Sequence, residues 1–262
     1  MAMFEFFRAY SLSMTCDESY SFTRYIDHPY LNIIFYRDVI ILPNNHVLNT
    51  IGMKFLCSIF GNHPFYIRLP NLIAFSCYCL VFLYWIKKGN NRFEFLPNLI
   101  FLFFNPYLLD FFVLARGYGM GVCLMMMSLI SIDLLCKRNE IKTKLYFLPL
   151  ILAALSVWAN FAFLNFYLGL LASVELLILY RYFKTAGTKT FLQLLRQHIP
   201  SIATTIVLYL LIRGPMGKII EAHQLYGGTI GFWSDTVQSL INRTFYEKVY
   251  PDWVSTIFRK TS

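Results

Sequence analysis

The stretch YIRLPNLIAFSCYCLVFLYWI, Tyr66 to Ile86, followed at once by the basic, polar run KKGNNR at 87–92, decides the fold class. Its only charged residue is Arg68, close to the leading edge. About 20 apolar residues are what a helix needs to cross a hydrocarbon core of roughly 30 Å. A helix is the form that satisfies every backbone N–H and C=O within one isolated segment. Lys87 and Lys88 directly behind the run then mark a cytoplasmic end.

The rest of the chain follows the same pattern. Of its 262 residues, 57% are hydrophobic and 14% charged, well below the ~25% charged content of a soluble domain. The formal charge of +9 would suit nucleic acid, but the Lys and Arg residues lie in short loops between apolar runs, where they encode membrane orientation. The membrane is therefore the expected partner and nucleic acid is excluded. Cys57, Cys77, Cys79, Cys123 and Cys136 lie in or beside apolar runs, where Cys behaves as a small hydrophobe. No pair has zinc-site spacing with His, so neither a metal cluster nor a disulfide framework is expected.

Working outward from Tyr66–Ile86, further apolar runs cover about 93–104, cut short by Asn105-Pro106, and then 118–136. Residues 146–158 and 161–180 form two runs that reverse around Asn160, and 199–212 is the last. The fold expected is an all-α, polytopic bundle of about six spans over 66–212. Residues 1–12 are too short to span, and 213–262 read as a polar tail. Residues 13–65 form a polar stretch too long for an ordinary connection. Within it, Val47 to Phe60 has helical apolar spacing and is expected to lie as an amphipathic helix at the membrane interface.

The loops 87–92, 137–144 and 181–198 hold eleven Lys and Arg residues, which places them in the cytoplasm. Alternation then puts 13–65, 105–117, the Asn160 turn and 213–262 on the outer face. Asp17, Glu18, His46, Asp110 and Arg116 are thereby expected on one side, where a single site could collect them.

Three groups carry candidate chemistry. Asp17-Glu18 offers a general base or a metal ligand, or more plainly a helix cap for a helix starting near Ser19. Asp110, Arg116, Gly117, Tyr118 and Gly119 place a charged pair in an apolar hairpin, a costly arrangement unless it is paired or functional. Arg116 suits a phosphate, or snorkels to the interface beside Tyr118. Pro43-Asn44-Asn45-His46-Val47-Leu48-Asn49 and, at the start of the first full span, Arg68-Leu69-Pro70-Asn71 form the third group, with His46 more simply a hydrogen-bonded structural residue and Arg68 a membrane-edge anchor. Tyr226-Gly227-Gly228-Thr229 reads as a turn.

The order of Asp17-Glu18-Ser19-Tyr20, Pro43-Asn44-Asn45-His46-Val47-Leu48-Asn49, Phe60-Gly61, Arg68-Leu69-Pro70 and Asp110 through Tyr118 resembles the GT-C class of integral-membrane glycosyltransferases. The likeness is to bacterial relatives of the dolichyl-phosphate-mannose protein mannosyltransferases and of the aminoarabinose transferases, over about residues 13–180. The resemblance implies a polyprenyl-phosphate sugar as donor, transfer to an acceptor hydroxyl on the extracytoplasmic side of the cell (inner) membrane, and inversion at the anomeric carbon. It implies Asp17 as catalytic base, Glu18 as its neighbour, Arg116 and Arg68 on the lipid phosphate, and Asp110, Tyr118, His46 and Asn45 in support. It names no certain cofactor and leaves a divalent cation open. It also implies that the chain is the N-terminal part of such an enzyme, with the family's first helix reduced to residues 1–12. The rival expectation is a multi-pass lipid-carrier transporter or flippase, whose mark would be ionisable residues at mid-membrane. Asp133 and Glu175 are read as lying toward cytoplasmic ends.

Overall fold

The computed structural model describes residues 2–41, 45–88, 105–138, 142–184 and 191–222. The run expected to span at 93–104, the Pro43-Asn44 turn and the turn at 226–229 lie outside the described residues, as does the tail from 223 onward. Among the described residues every regular element is helical and there is no strand.

The chain divides into two compact units, Met1–Ile219 and Ile220–Ser262. In the first, α1 (Ala2–Ser11) is followed by α2 (Cys16–Tyr25) and α3 (Tyr30–Phe35), then α4 (Val47–Phe60) and α5 (Pro64–Lys88). After Asn105 come α6 (Pro106–Val113) and α7 (Gly117–Cys136). A 3-10 turn at Thr143–Tyr146 leads into α8 (Phe147–Ala159), and a second at Phe161–Phe163 into α9 (Leu164–Lys184). The last helix, α10 (Phe191–Glu221), crosses the unit boundary by two residues.

Four segments are long and apolar enough to cross a membrane: Pro64–Trp85, Gly117–Cys136, Phe161–Lys184 and Phe191–Glu221. Their outward faces carry exposed Leu80, Leu83, Leu176, Phe183, Ile202 and Val207. So much exposed apolar surface would be a liability in water and suits lipid. The helix expected at Val47–Phe60 forms over those residues. It buries Val47, Asn49, Thr50, Met53 and Cys57 and exposes Phe55, Ile59 and Phe60.

Three expectations are corrected. The stretch 13–65 holds α3 besides the helices expected near Ser19 and at Val47–Phe60, and α2 (CDESYSFTRY) is fixed at its start by its cap and turns Phe22 and Tyr25 inward. Thr15, not Asp17, is that cap: its hydroxyl accepts from the Glu18 N–H, while the Glu18 side chain accepts from the Thr15 N–H, a reciprocal capping box. The third concerns the last span, which does not end at Ile212. Helix α10 continues through Pro215 to Glu221, with Ile219 buried beside Tyr36 and Val47 and the Lys218 ammonium donating to the Tyr36 carbonyl at 2.5 Å. Tertiary anchoring there outweighs the helix-breaking tendency of Pro215.

The bundle has two chemically distinct ends. At one, Arg181 of α9 donates to the carbonyls of Leu135 and Cys136, both at 3.1 Å, tying the C-termini of α9 and α7 together. At the other, α7 starts against the end of α8: a Cβ added at Gly117 would lie 1.8 Å from the Ala159 carbonyl oxygen and 2.8 Å from the His46 Cβ. Only glycine permits that approach. This second end is where the candidate residues gather.

Candidate functional site

The centre of this end is a short, extended connection, Leu114-Ala115-Arg116, between α6 and α7. Buried away from a ladder or helix, its backbone groups need partners from elsewhere. Three side chains from three helices supply them. Glu18 of α2 accepts from the Ala115 N–H at 2.7 Å. Asn49 of α4 donates to the Ala115 carbonyl at 3.0 Å. Asn71 of α5 donates to the carbonyls of Leu114 and Arg116, both at 2.6 Å.

Glu18 is itself clamped by Arg68. Nε donates to Oε1 at 2.9 Å and one terminal nitrogen to Oε2 at 2.8 Å. The other Arg68 donors reach the carbonyls of Ala9 at 2.9 Å, Leu12 at 2.7 Å and Ser13 at 2.8 Å. All five guanidinium N–H groups are thus used, and both side chains are fully buried. The Glu18 oxygens accept from Arg68 twice and from the Thr15 and Ala115 N–H groups, which fills the four lone-pair positions of a carboxylate. Burial pushes the Glu18 carboxyl up, but the Arg68 guanidinium and the two backbone donors outweigh it and hold the group below the usual carboxylate range.

The expected roles of Glu18 as acceptor or metal neighbour and of Arg68 as phosphate binder are therefore corrected. Neither has a lone pair or donor left for a ligand. The pair is a strut that fixes α1, α2, α5 and the 114–116 connection to one another. Nor do the residues fit a divalent cation. Glu18 has no free lone pair, Asp17 faces a guanidinium, and among the described residues no three His, Cys, Asp or Glu side chains group around a common point.

Asp17 and Arg116 sit immediately beside this strut and differ from it. The Asp17 carboxylate pairs with the Arg116 guanidinium, with the side chains 42% and 31% exposed. Asp110 pairs instead with Arg8 of α1 at 2.5 Å. Arg8 also holds Glu5 at 2.9 Å, a fully buried carboxyl whose proton affinity is raised by that burial. Asp110 thus belongs to a cluster between α1 and α6, not to the Asp17–Arg116 pair.

The remaining expected residues split as well. Asn45 is buried, accepting from the Thr50 hydroxyl at 3.0 Å, with its backbone carbonyl held by Tyr36 at 3.2 Å; it ties α3 to α4 and presents nothing to a ligand. His46 is buried against the edge of Tyr118 at 5.2 Å, and the Tyr118 ring stacks on Phe111 at 4.9 Å. Burial pulls the His46 imidazole down to about 4, so near neutral pH it is uncharged. Tyr118 is only half-buried and follows Arg116 by two residues at the start of α7.

A groove of about 280 Å³ opens between α8 and α10, lined by apolar side chains including Phe147, Ile151, Trp158, Val207 and Leu211. Its Trp158 end is one residue from Ala159, whose carbonyl meets Gly117 beside Arg116. Asn49 and Asn71 stand in the third sequence group without an assigned role, and the structure supplies it: they hold the 114–116 connection. The available signal was an amide within an otherwise apolar helix.

Comparison of the chain with family profiles, with curated proteins and with solved structures finds no match.

Proposed function

We propose that the protein is a glycosyltransferase that moves a sugar from a polyprenyl-phosphate donor to an acceptor hydroxyl on the extracytoplasmic face of the membrane. The reading is carried by one observation: a half-exposed Asp17–Arg116 pair mounted on the saturated Glu18–Arg68 strut. A carboxylate and a guanidinium at rest neutralise each other. A donor phosphodiester matches the guanidinium geometry and competes for Arg116, which frees Asp17; its charge grows from one to two as the sugar leaves, so Arg116 holds the leaving phosphate more strongly than the donor. The acceptor hydroxyl then gives its proton to Asp17 as its oxygen bonds to the anomeric carbon. The carbon–oxygen bond to the phosphate breaks from the opposite face, and the lipid phosphate leaves with the electron pair. The leaving group is already good, so one base, one cationic clamp and positioning suffice. The apolar groove along α8 and α10 suits the isoprenoid chain. The basic end of the bundle at Arg181 is then cytoplasmic and the Arg116 end extracytoplasmic.

The test is sugar transfer by the chain in nanodiscs, using a panel of labelled polyprenyl-phosphate sugars and a hydroxyl-bearing acceptor extract. Asp17→Asn is expected to lose at least ~100-fold in kcat, the scale of a general base. Arg116→Gln is expected to raise KM for the donor. Absence of transfer with every sugar, or an unchanged rate in Asp17→Asn, overturns the reading. A transporter remains the second reading, favoured by the intramembrane acid described next.

A further inference from the structure

Helix α9 carries one carboxylate, Glu175, inside the apolar crossing segment Phe161–Lys184 and on the side of its basic end, as expected. Its Oε2 meets Nδ1 of His198 on α10. Its Oε1 is buried without a hydrogen-bond partner among the described residues, and so is the hydroxyl of Ser201, one turn along α10 from His198. A further turn on, Thr204 and Thr205 meet the Tyr167 hydroxyl of α9 at 3.3 and 2.9 Å. A polar seam therefore runs between two crossing helices whose neighbouring buried side chains are Leu170, Val174, Ile178 and Leu208.

Charge in such a position is costly and marks function by default. The Glu175–His198 pair is electrically neutral only with a single proton on it; losing that proton or gaining another leaves a net charge inside an apolar span. Few other charges face it. Helix α8 has no titratable side chain. Asp133 of α7 is paired with Lys137 at 2.7 Å. On α9, Arg181 is bonded to the α7 carbonyls and Lys184 lies over the Tyr180 ring. Arg196 of α10 is exposed. Tyr167 lies on the seam itself.

We propose that Glu175 and His198 form an intramembrane proton-binding site that holds one shared proton between α9 and α10. The hydroxyls of Ser201, Thr204, Thr205 and Tyr167 extend it along the seam. Uptake transfers a proton from hydronium to the pair and leaves water. The site does not depend on sugar transfer, and neither outcome at Asp17 bears on it.

The test uses the full chain in nanodiscs, following carboxyl infrared bands and ring signals of labelled histidine from roughly pH 5 to 8, the range over which histidine changes charge. The Glu175 carboxyl band, identified by its loss in Glu175→Gln, is expected to move its midpoint at least tenfold in proton concentration in His198→Gln. In the unaltered chain the two groups are expected to report common midpoints, a readout that needs no variant to fold. Independent midpoints for Glu175 and His198, or a Glu175 midpoint unmoved by His198→Gln, overturn the proposal.

Discussion

Asp17 and Glu18 are neighbours in sequence and opposites in structure. Glu18 is fully buried and accepts four hydrogen bonds, two of them from an arginine that is itself saturated. Asp17, one residue earlier, points to a half-exposed surface and meets one guanidinium that is itself partly exposed. One turn of capped helix produces both outcomes, since successive residues of a helix face about 100° apart. The saturated pair can only hold structure, whereas the undersatisfied pair can exchange partners. Chemistry needs the second kind, and it needs the first kind beneath it to keep the second in place.

The sharpest way to break this comparison is to remove a member of the strut. Arg68→Met leaves Glu18 charged, buried and unpaired, and strands the carbonyls of Ala9, Leu12 and Ser13. Breaking one partner of a buried pair costs about 3–5 kcal/mol, so a large fall in the detergent melting temperature is expected. Asp17→Asn, by contrast, should lie within about 1 kcal/mol of the parent, the scale of an exposed pair. If Arg68→Met melts with the parent, the strut is not one.

Next in size is Asn71→Leu, which removes the donor to the carbonyls of Leu114 and Arg116 while keeping the side-chain volume roughly constant. The Leu114 carbonyl keeps its bond from the Arg116 N–H, so the loss falls on the Arg116 carbonyl, and a buried acceptor that loses its side-chain donor costs about 1–3 kcal/mol. Because the loss falls on the connection that carries Arg116, the same variant is expected to weaken donor binding in a KM measurement beyond any change in melting. A variant with lowered stability and an unchanged KM would show that Arg116 is positioned by something else.

Much of this architecture is legible in the sequence alone. Tyr66–Ile86 and 118–136 announce themselves by length and apolarity, and the basic loops sort the helix ends, so Asp17, His46 and Arg116 can be placed on one side from the sequence. Which acid is saturated cannot be read that way. It depends on contacts across 50 residues to Arg68 and 97 to Ala115, and no local pattern encodes them. Helix α2 is only partly legible, as a cap before Ser19. It is polar on balance, and its inward face joins the Glu18 strut to Phe22 and Tyr25, a stripe too short to stand out in the sequence. Pro215 misleads in the other direction: a residue that ends isolated helices is carried inside α10, where Lys218 and Ile219 anchor the far turn.

Acid provides a subtler comparison between the two kinds of site. The His46 imidazole is depressed by burial from 6.5 to about 4, so the unfolded chain binds the proton more readily than the folded one. Stability is then lost as pH falls from about 6.5 toward 4. Glu18, held below its reference value of 4.5 by Arg68 and backbone donors, contributes stability that is present above that value and is lost below it, with the same sign. Buried Glu5, raised by burial, has the opposite sign and gains stability as pH falls toward 4.5, so the fall in melting from pH 7 is expected to be clearest in its upper part, which His46→Phe flattens. A His46→Phe profile parallel to the parent would remove His46 from the account.

The smallest effect is expected at Asp110, and it tests whether exposure alone makes a charged pair functional. Asp110 is as exposed as Asp17, at 49%, and also holds an arginine, Arg8. Its arginine, however, is shared with buried Glu5, so Arg8 is not free to leave when an anion arrives: releasing it would strand a second carboxylate inside the packing of α1. Asp110→Asn should therefore cost under about 1 kcal/mol, as a surface pair does, and leave donor KM and kcat near the parent values. A rate loss comparable to that of Asp17→Asn would place Asp110 in the chemistry and show that exposure, rather than an arginine free to change partners, marks the reactive acid.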